Sequence, residues 1–317
     1  MTRIGVDLGG TNLRVASLDG AKILEQHKEP TGEPRDPQTI VDKLATLAEK
    51  LAPSGPATIG IGLAAMLCDR RGTVANSPHL RWRDVRFGEL LKKRLGSRFS
   101  LGVYNDVNAI VWGEYTFGAA RNYSDTLGVF VGTGIGGGLV VNGALVEGAT
   151  NTAGEIGHVK VRWDDSAAPC ACGQRGCVEA YVGGSYVQER ITRELAAGAS
   201  PAVVKLAGSV EAANAGHVDQ AAGEGDAWAL AYWEELAPLL AVTLGNAIAV
   251  LNSNRLVLGG GFLGRAPTLY ELVVSTMPIV APVASMAALS IALAELGDDA
   301  GLVGSADLAA RGTSVID

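Results

Sequence analysis

The chain has 317 residues, 48% of them hydrophobic, which is long and apolar enough for two filled domains and excludes a disordered protein. Its net charge is −7 and no basic patch is visible, so we expect no nucleic-acid partner, because such a partner requires a positive face. Residues 1–8 lack a secretory leader, and the apolar run at 236–251 is shorter than a membrane span. We therefore predict a cytoplasmic protein with no membrane partner.

The predicted elements begin with three strands, at residues 3–8, 13–18 and 22–29, separated by Gly-Gly-Thr and Asp-Gly turns. A helix follows at Pro37–Leu51, where the apolar residues recur with the spacing of one helical face. The sequence then predicts a strand at 58–63, a helix at 84–95, a strand at 101–104 and a helix at 107–117.

The pattern then restarts with a strand at Thr126–Val131, a glycine turn at 132–138 and a strand at 139–141. A long helix at 226–251 leads into a strand at 255–258, and a final helix is predicted at 301–311. Because both halves open with strand, glycine turn and strand, we predict two related α/β lobes facing one another. We place a small lobe at 1–110, joined by a C-terminal helix at 300–317, and a large lobe at 111–299.

The first glycine turn consists of Asp7, Leu8, Gly9, Gly10, Thr11, Asn12, Leu13 and Arg14. Glycines let the backbone approach an anion closely, because a Cβ would block the contact. Asp7 can hold Mg²⁺ through water, since hard cations prefer carboxylate oxygen, and Thr11, Asn12 and Arg14 can donate to phosphate. Alone, the segment can also be an ordinary hairpin turn, but a second glycine hairpin in the chain favours an anion site.

The second glycine turn, residues 132–137, formally matches the dinucleotide fingerprint G-x-G-x-x-G. That fingerprint requires a helix directly afterwards, whereas a strand is predicted here, so NAD binding is disfavoured. The sequence contains no G-x-x-x-x-G-K-[ST] loop, which argues against a P-loop kinase. A third glycine run at Gly259, Gly260 and Gly261 ends a predicted strand and can let a purine or ribose lie on bare backbone.

Asn105 and Asp106 stand where a predicted strand ends and a helix begins. A carboxylate at this place is often only a helix cap. It can also be a base that takes a proton from an attacking hydroxyl, and phosphoryl transfer needs little more from protein than that acceptor, positioning and charge neutralisation.

One histidine and three clustered cysteines, His158, Cys170, Cys172 and Cys177, make a closed tetrahedral set for a structural Zn²⁺. Three reduced thiols without metal are the alternative, and the distant Cys68 is expected in the core. Glu155 and Glu179 flank this segment. They can be solvated surface groups, but two carboxylates around one site suggest acceptors for sugar hydroxyls.

Together these motifs resemble the ROK family of bacterial sugar kinases and sugar-responsive repressors, from Asp7 to the closing residues 301–306. The resemblance implies an α/β actin-like ATPase (ribonuclease H-like) fold, with ATP and sugar in a central cleft between two lobes and the last helix folded back onto the first lobe. It implies that Asp106 is the catalytic base and that zinc is held by His158, Cys170, Cys172 and Cys177. The sugar would be held by Asn105, Asp106, Glu155, His158 and Glu179. ATP and Mg²⁺ would lie against Asp7, Gly9, Gly10, Thr11, Asn12, Arg14, Thr133 and Gly134, with the adenosine by Gly259, Gly260 and Gly261.

Two segments depart from the family pattern. Residues 64–66 read Ala-Ala-Met where many members have Pro-Gly, and residues 78–82 read Pro-His-Leu-Arg-Trp where they have Pro-Asn-Leu before a Trp. Both lie near the sugar pocket that the resemblance implies, so the identity of the sugar stays open.

The leading hypothesis is phosphorylation of a hexose at its 6-hydroxyl by MgATP, with glucose favoured. The alternatives are a kinase for mannose, fructose, N-acetylglucosamine or N-acetylmannosamine, and a non-catalytic sugar sensor or repressor. A repressor needs a helix-turn-helix before the first strand, which we do not expect here, and Asp7 and Asp106 argue against a degenerate sensor. Polyphosphate is an alternative donor, and we expect a homodimer or homotetramer.

Overall fold

A computed structural model describes residues 1–313 and 315–316 of the chain. The chain divides into two compact units. The first unit comprises Met1–Thr126, Gly138–Gly154 and Ala294–Asp317, and the second comprises Leu127–Gly137 and Glu155–Leu293. The lobe boundary predicted at residue 110 would fall inside a helix of the first unit that packs against the last helix of the chain.

The strands among the described residues are β1 (Thr2–Leu8), β2 (Asn12–Asp19), β3 (Lys22–Pro30), β4 (Ala57–Leu63), β5 (Met66–Leu67), β6 (Thr73–Ser77), β7 (Trp82–Arg86), β8 (Phe99–Asn105), β9 (Thr126–Val131), β10 (Ile135–Val141), β11 (Ala144–Leu145), β12 (Arg255–Gly259), β13 (Ser290–Leu293) and β14 (Val315–Ile316). The helices are α1 (Pro37–Leu51), α2 (Phe87–Leu95), α3 (Asp106–Phe117), α4 (Glu179–Val182), α5 (Gly184–Ala196), α6 (Pro201–Ala207), α7 (Ala215–Gly223), α8 (Ala227–Leu251), α9 (Pro267–Val280), α10 (Val283–Ala288) and α11 (Ala300–Ala310). Short 3₁₀ helices occur at Ile156–His158, Leu263–Arg265 and Gly297–Asp299.

The first unit is built on a six-stranded sheet with the order β14-β8-β4-β1-β2-β3. Strands β1, β4 and β8 are parallel, and every residue of β4 is buried. Helix α11 lies directly against β1 and β4, where Gly5 and Gly60 leave room for it. A Cβ on Gly5 would collide with the carbonyl of Leu302, and one on Gly60 with that of Ser305.

The second unit contains a sheet whose strands have the order β11-β10-β9-β12-β13. Helix α8 packs against α9, and Trp233 of α8 is fully buried. Within the described part of the chain, α8 alone is long and apolar enough to cross a membrane, and 44% of its most apolar window is buried. A core helix of a folded protein meets the same criterion.

The helix predicted at Pro37–Leu51 and the strand predicted at Thr126–Val131 are confirmed to the residue, and the predicted final helix is observed one residue earlier, at Ala300–Ala310. Of the C-terminal segment predicted at 300–317, Ser314 and Asp317 lie outside the described residues.

Three predictions are wrong. Residues 84–86 of the predicted helix 84–95 belong to β7, because that strand pairs with β6 and Asp84 adopts a φ of 52°, outside the helical range. The glycine turn predicted at 132–138 ends earlier, since the Gly132 N–H donates to the Gly134 carbonyl at 2.9 Å and β10 begins at Ile135. Cys68 is exposed rather than in the core, because it directly follows the short strand β5.

Candidate active site

The sheet of the first unit brings two of the predicted carboxylates to one edge. Leu8 of β1 pairs with Leu63 of β4, and Leu63 pairs with Asn105 of β8, so the three parallel strands end together. Asp7 and Asp106 therefore stand at the same edge with one strand between them. At about 4.8 Å per strand, their backbones are separated by roughly 10 Å. We call Asp7, Asn105 and Asp106 the sheet edge.

Hydrogen bonds within the turn and from Thr31 fix the first glycine hairpin, which joins β1 to β2. The Gly9 N–H donates to the Asn12 carbonyl at 3.0 Å, and the Thr31 hydroxyl donates to the Gly9 carbonyl at 2.7 Å. A Cβ on Gly10 would lie 2.8 Å from the Cβ of His79, so only glycine allows this approach. The hairpin therefore has a fixed backbone at the end of the strand that carries Asp7.

Arg14 lies opposite Asp7 in the β1–β2 pair, with its guanidinium 3.9 Å from the Asp7 carboxylate. The same guanidinium donates to the Asp298 carbonyl and to the Asp299 carboxylate. Burial raises the pKa of Asp7, which Arg14 opposes and Asp298 reinforces. No sequence motif indicates Asp298 or Asp299, because they lie far along the chain, directly before α11.

Glu114 holds this distant segment in place. Its side chain is buried, and its carboxylate accepts hydrogen bonds from the backbone N–H groups of Ala119 at 2.8 Å, Glu295 at 3.0 Å and Leu296 at 2.8 Å. A buried carboxylate with three N–H donors is well satisfied. Glu114 thus links α3 to the segment that contacts Arg14. In the sequence, this role of Glu114 is indicated only by the presence of a glutamate in an otherwise mostly apolar helix.

At the start of α3, Asn105 rather than Asp106 is the helix cap. The Asn105 side-chain oxygen accepts from the N–H groups of Val107 at 3.0 Å and Asn108 at 3.1 Å, and its amide donates to the Ala65 carbonyl at 3.3 Å. Asp106 is the first helical residue. The capping explanation for this carboxylate therefore does not hold, because its neighbour performs that role.

The second unit brings the other two glycine segments together. The Gly184 N–H at the start of α5 donates to the Gly132 carbonyl at 3.0 Å, and the Ser185 N–H donates to the Thr133 carbonyl at 2.9 Å. Gly260 has a φ of 97°, which favours glycine, and a Cβ there would collide with the Val131 backbone. Thr133 and Gly134 thus lie in a tight turn close to Gly260, with Gly259 and Gly261 on either side of Gly260.

The four predicted metal ligands are close together: the ligand atoms of His158, Cys170, Cys172 and Cys177 all lie within 4.8 Å of one another. The Cys172 and Cys177 sulfurs are 3.6 Å apart, and the Cys170 sulfur is 3.8 Å from His158 Nδ1. Zinc–sulfur bonds of about 2.3 Å in a tetrahedron place sulfurs roughly 3.8 Å apart, so the set fits zinc. We call residues 158–179 the cysteine loop.

The thiols differ in their surroundings. Burial raises the pKa of the Cys170 thiol to about 12. Burial also acts to raise the pKa of Cys172, but the backbone N–H of Gln174 and the neighbouring thiols lower it overall. A divalent cation at the centre of such a set favours the thiolate form of each ligand.

The two predicted sugar acceptors lie beside this cluster. Glu155 Oε2 is 3.7 Å from His158 Nε2, the ring nitrogen that does not face Cys170. Glu179 Oε2 accepts from the Ile135 N–H at 2.8 Å, directly after the second glycine turn. Burial raises the pKa of Glu155, an effect that His158 opposes and Glu179 reinforces. The second unit therefore gathers Glu155, His158 and Glu179 at the cysteine loop.

Known proteins resemble this chain over nearly its whole length. The sequence model of the ROK family matches residues 3–312. The chain is 33% identical over 310 residues to a glucokinase of Thermotoga maritima and 32% identical over 317 residues to one of Streptomyces coelicolor, covering 96% of both chains in each case. Its structure is similar to that of a ROK family glucokinase from Streptomyces griseus in complex with glucose and AMPPNP. That likeness has a TM-score of 0.79 at 30% identity and covers 98% of this chain and 100% of the other.

Proposed function

The chain belongs to the ROK family and has the actin-like ATPase fold of its sugar kinases, and from this premise we propose that it is a glucokinase. The reaction is the transfer of the γ-phosphoryl group of ATP to the 6-hydroxyl of glucose. The observation that carries the proposal is the position of Asp106 at the sheet edge, where Asn105 already caps α3.

We assign the proton transfer to Asp106. The carboxylate takes the proton of the 6-hydroxyl while the hydroxyl oxygen forms its bond to the γ-phosphorus. The bond between the γ-phosphorus and the β–γ bridging oxygen breaks, and ADP leaves. A carboxylate at the first position of a helix, fixed by the neighbouring cap, is a well-positioned acceptor for this proton.

We assign the nucleotide to the glycine turns. Two turns would offer backbone N–H groups and hydroxyls to the phosphates: the first contains Gly9, Gly10, Thr11 and Asn12, and the second contains Thr133 and Gly134. The adenosine would lie against Gly259, Gly260 and Gly261. Asp7 would hold Mg²⁺ through water, and the ion would neutralise phosphate charge. Two of the five N–H donors of Arg14 go to Asp298 and Asp299, and the remaining donors and the charge of the guanidinium can serve a phosphate oxygen.

We assign the sugar hydroxyls to Asn105, Asp106, Glu155, His158 and Glu179. The donor set of His158, Cys170, Cys172 and Cys177 fits Zn²⁺, which when bound fixes the loop without an open coordination position. With Nδ1 turned to the cysteines, His158 keeps its Nε2–H for a sugar hydroxyl. The cysteine loop would thus serve specificity rather than phosphoryl transfer.

We further propose a cytoplasmic enzyme that works as a homodimer or homotetramer. Reduced thiols for the metal are typical of that compartment. The second unit exposes Val250, Ile279 and Val283, each more than four-fifths accessible, and these apolar side chains support self-association.

The test is a coupled assay with ATP over glucose, mannose, fructose, N-acetylglucosamine and N-acetylmannosamine. We expect glucose to give the highest kcat/KM, because a site that pairs sugar hydroxyls rejects analogues that lack or mask them. A preference for an N-acetylated sugar would overturn glucose as the substrate and leave the kinase. Turnover of none of these sugars, with ATP or polyphosphate, would overturn the kinase itself.

A further inference from the structure

Lys160, which belongs to none of the sequence motifs, contacts one of the proposed zinc ligands. Lys160 Nζ lies 2.8 Å from the Cys177 sulfur. The sulfur belongs to a fully buried residue, whereas Lys160 is exposed, so the ammonium group covers the thiol on its solvent side.

The backbone places the two side chains next to each other. Lys160 and Cys177 form an antiparallel bridge and are direct cross-strand partners. On either side of this pair, the Val161 N–H donates to the Gly176 carbonyl at 2.9 Å and the Val178 N–H donates to the Val159 carbonyl at 2.9 Å. Directly opposed side chains on one face of such a pair lie within contact distance. The lysine is therefore set against this cysteine by the fold of the loop.

The charge of the site explains what an ammonium group does there. Zn²⁺ with three thiolates and a neutral imidazole carries a net charge of −1. A lysine at the sulfur neutralises that charge, and its charge-assisted N–H donation fixes the position of the sulfur. Groups that hydrogen-bond a metal ligand from outside orient that ligand on the metal, so this contact opposes the loss of zinc.

We propose that Lys160 is a positioning residue of the metal site, which holds the Cys177 thiolate in place and slows the release of zinc. This proposal rests on the zinc site of the proposed function. A solvated surface lysine is the alternative, and it would leave zinc retention unchanged when replaced.

The experiment compares zinc retention in three variants of the full chain. Lys160→Met removes the charge, Lys160→Arg keeps it, and Lys205→Met removes the charge of an exposed lysine on α6, outside the cysteine loop. Zinc content is measured by mass spectrometry, and release is followed with a chromophoric chelator. We expect Lys160→Met to lower zinc affinity roughly 10-fold, as loss of an outer partner does, with Lys160→Arg close to wild type and Lys205→Met unchanged.

The outcomes separate this proposal from the one it rests on. If the wild-type chain holds one zinc and Lys160→Met releases it at the wild-type rate, the role of Lys160 is overturned and the zinc site stands. If the wild-type chain holds no zinc, both are overturned. Should Lys160→Met fail to fold, a wild-type rate of release from Lys160→Gln would overturn the role of Lys160, and a faster one would support it.

Discussion

The sheet edge of the first unit and the cysteine loop of the second hold their functional side chains by different means. Strands β1 and β4, which end at the sheet edge, contain fully buried residues such as Val6 and Ile61. The cysteine loop contributes Cys170 and Cys177 to a small buried cluster that also includes Ala180 of α4, with two tyrosines packed against it. Burial of apolar surface can fix the sheet edge without a ligand, whereas the loop lacks comparable apolar burial and depends on its cysteines.

This difference separates chemistry from specificity. Loss of the Asp106 carboxylate at the sheet edge should affect turnover first, because the surrounding core keeps the edge rigid and the other proposed sugar contacts remain. A change in the cysteine loop should affect sugar binding first, because it disturbs the segment that carries His158 and Glu179.

The largest expected effect follows from Asp106→Asn. The amide is nearly isosteric but cannot take up the proton, so kcat should fall by roughly 10²–10⁴-fold. Glucose binding, measured by calorimetry, should persist, because the amide still hydrogen-bonds, and folding should persist because Asn105 supplies the cap. Turnover close to wild type would show that the base lies elsewhere.

The next effect concerns His158→Ala and Cys172→Ala, compared side by side. Both should lower zinc content and weaken glucose binding by roughly 10-fold or more, since metal ligation fixes the orientation of the imidazole. ATP binding should change little in either variant, because it rests on the glycine turns. If His158→Ala keeps a full complement of zinc and normal glucose affinity, the dual role of this histidine is wrong.

Local patterns were sufficient to predict much of this fold. Helix Pro37–Leu51 was predicted because its apolar residues repeat along one face, and that face is the buried one. The failure at residues 84–86 has a different origin. Residues 84–86 form a strand because β7 pairs with β6. The composition of residues 84–95 does not indicate that pairing, which depends on tertiary structure.

The same distinction applies to the candidate site. The spacing of Cys170, Cys172 and Cys177 predicted a metal cluster, because ligands close in sequence need only a short loop to meet. Glu114 and Lys160 were not predicted. Glu114 acts on a segment far along the chain, and Lys160 meets its cysteine through cross-strand register, so each depends on tertiary structure rather than on a motif.

The smallest expected effect is that of Gly134→Ala, which tests whether the second glycine turn contributes only to phosphate binding or also to sugar binding. A Cβ on Gly134 would collide with the Glu179 carboxylate, which would have to turn away and release the Ile135 N–H. Because Glu179 is a proposed sugar acceptor, Gly134→Ala should raise KM for glucose by about 10-fold, equivalent to one charged hydrogen bond of ~1.5 kcal/mol.

The matched control for this variant is Gly132→Ala in the same turn, where an added Cβ meets no atom within 4 Å. Any effect of that control should fall on KM for ATP and leave KM for glucose unchanged. Initial rates over a grid of glucose and ATP concentrations separate the two constants. If Gly134→Ala changes only KM for ATP, the turn acts on phosphate alone, and the space that Gly134 leaves for the Glu179 carboxylate has no part in sugar recognition. A rise in KM for glucose restricted to Gly134→Ala would instead show that the glycine is needed at this position to leave space for the Glu179 carboxylate.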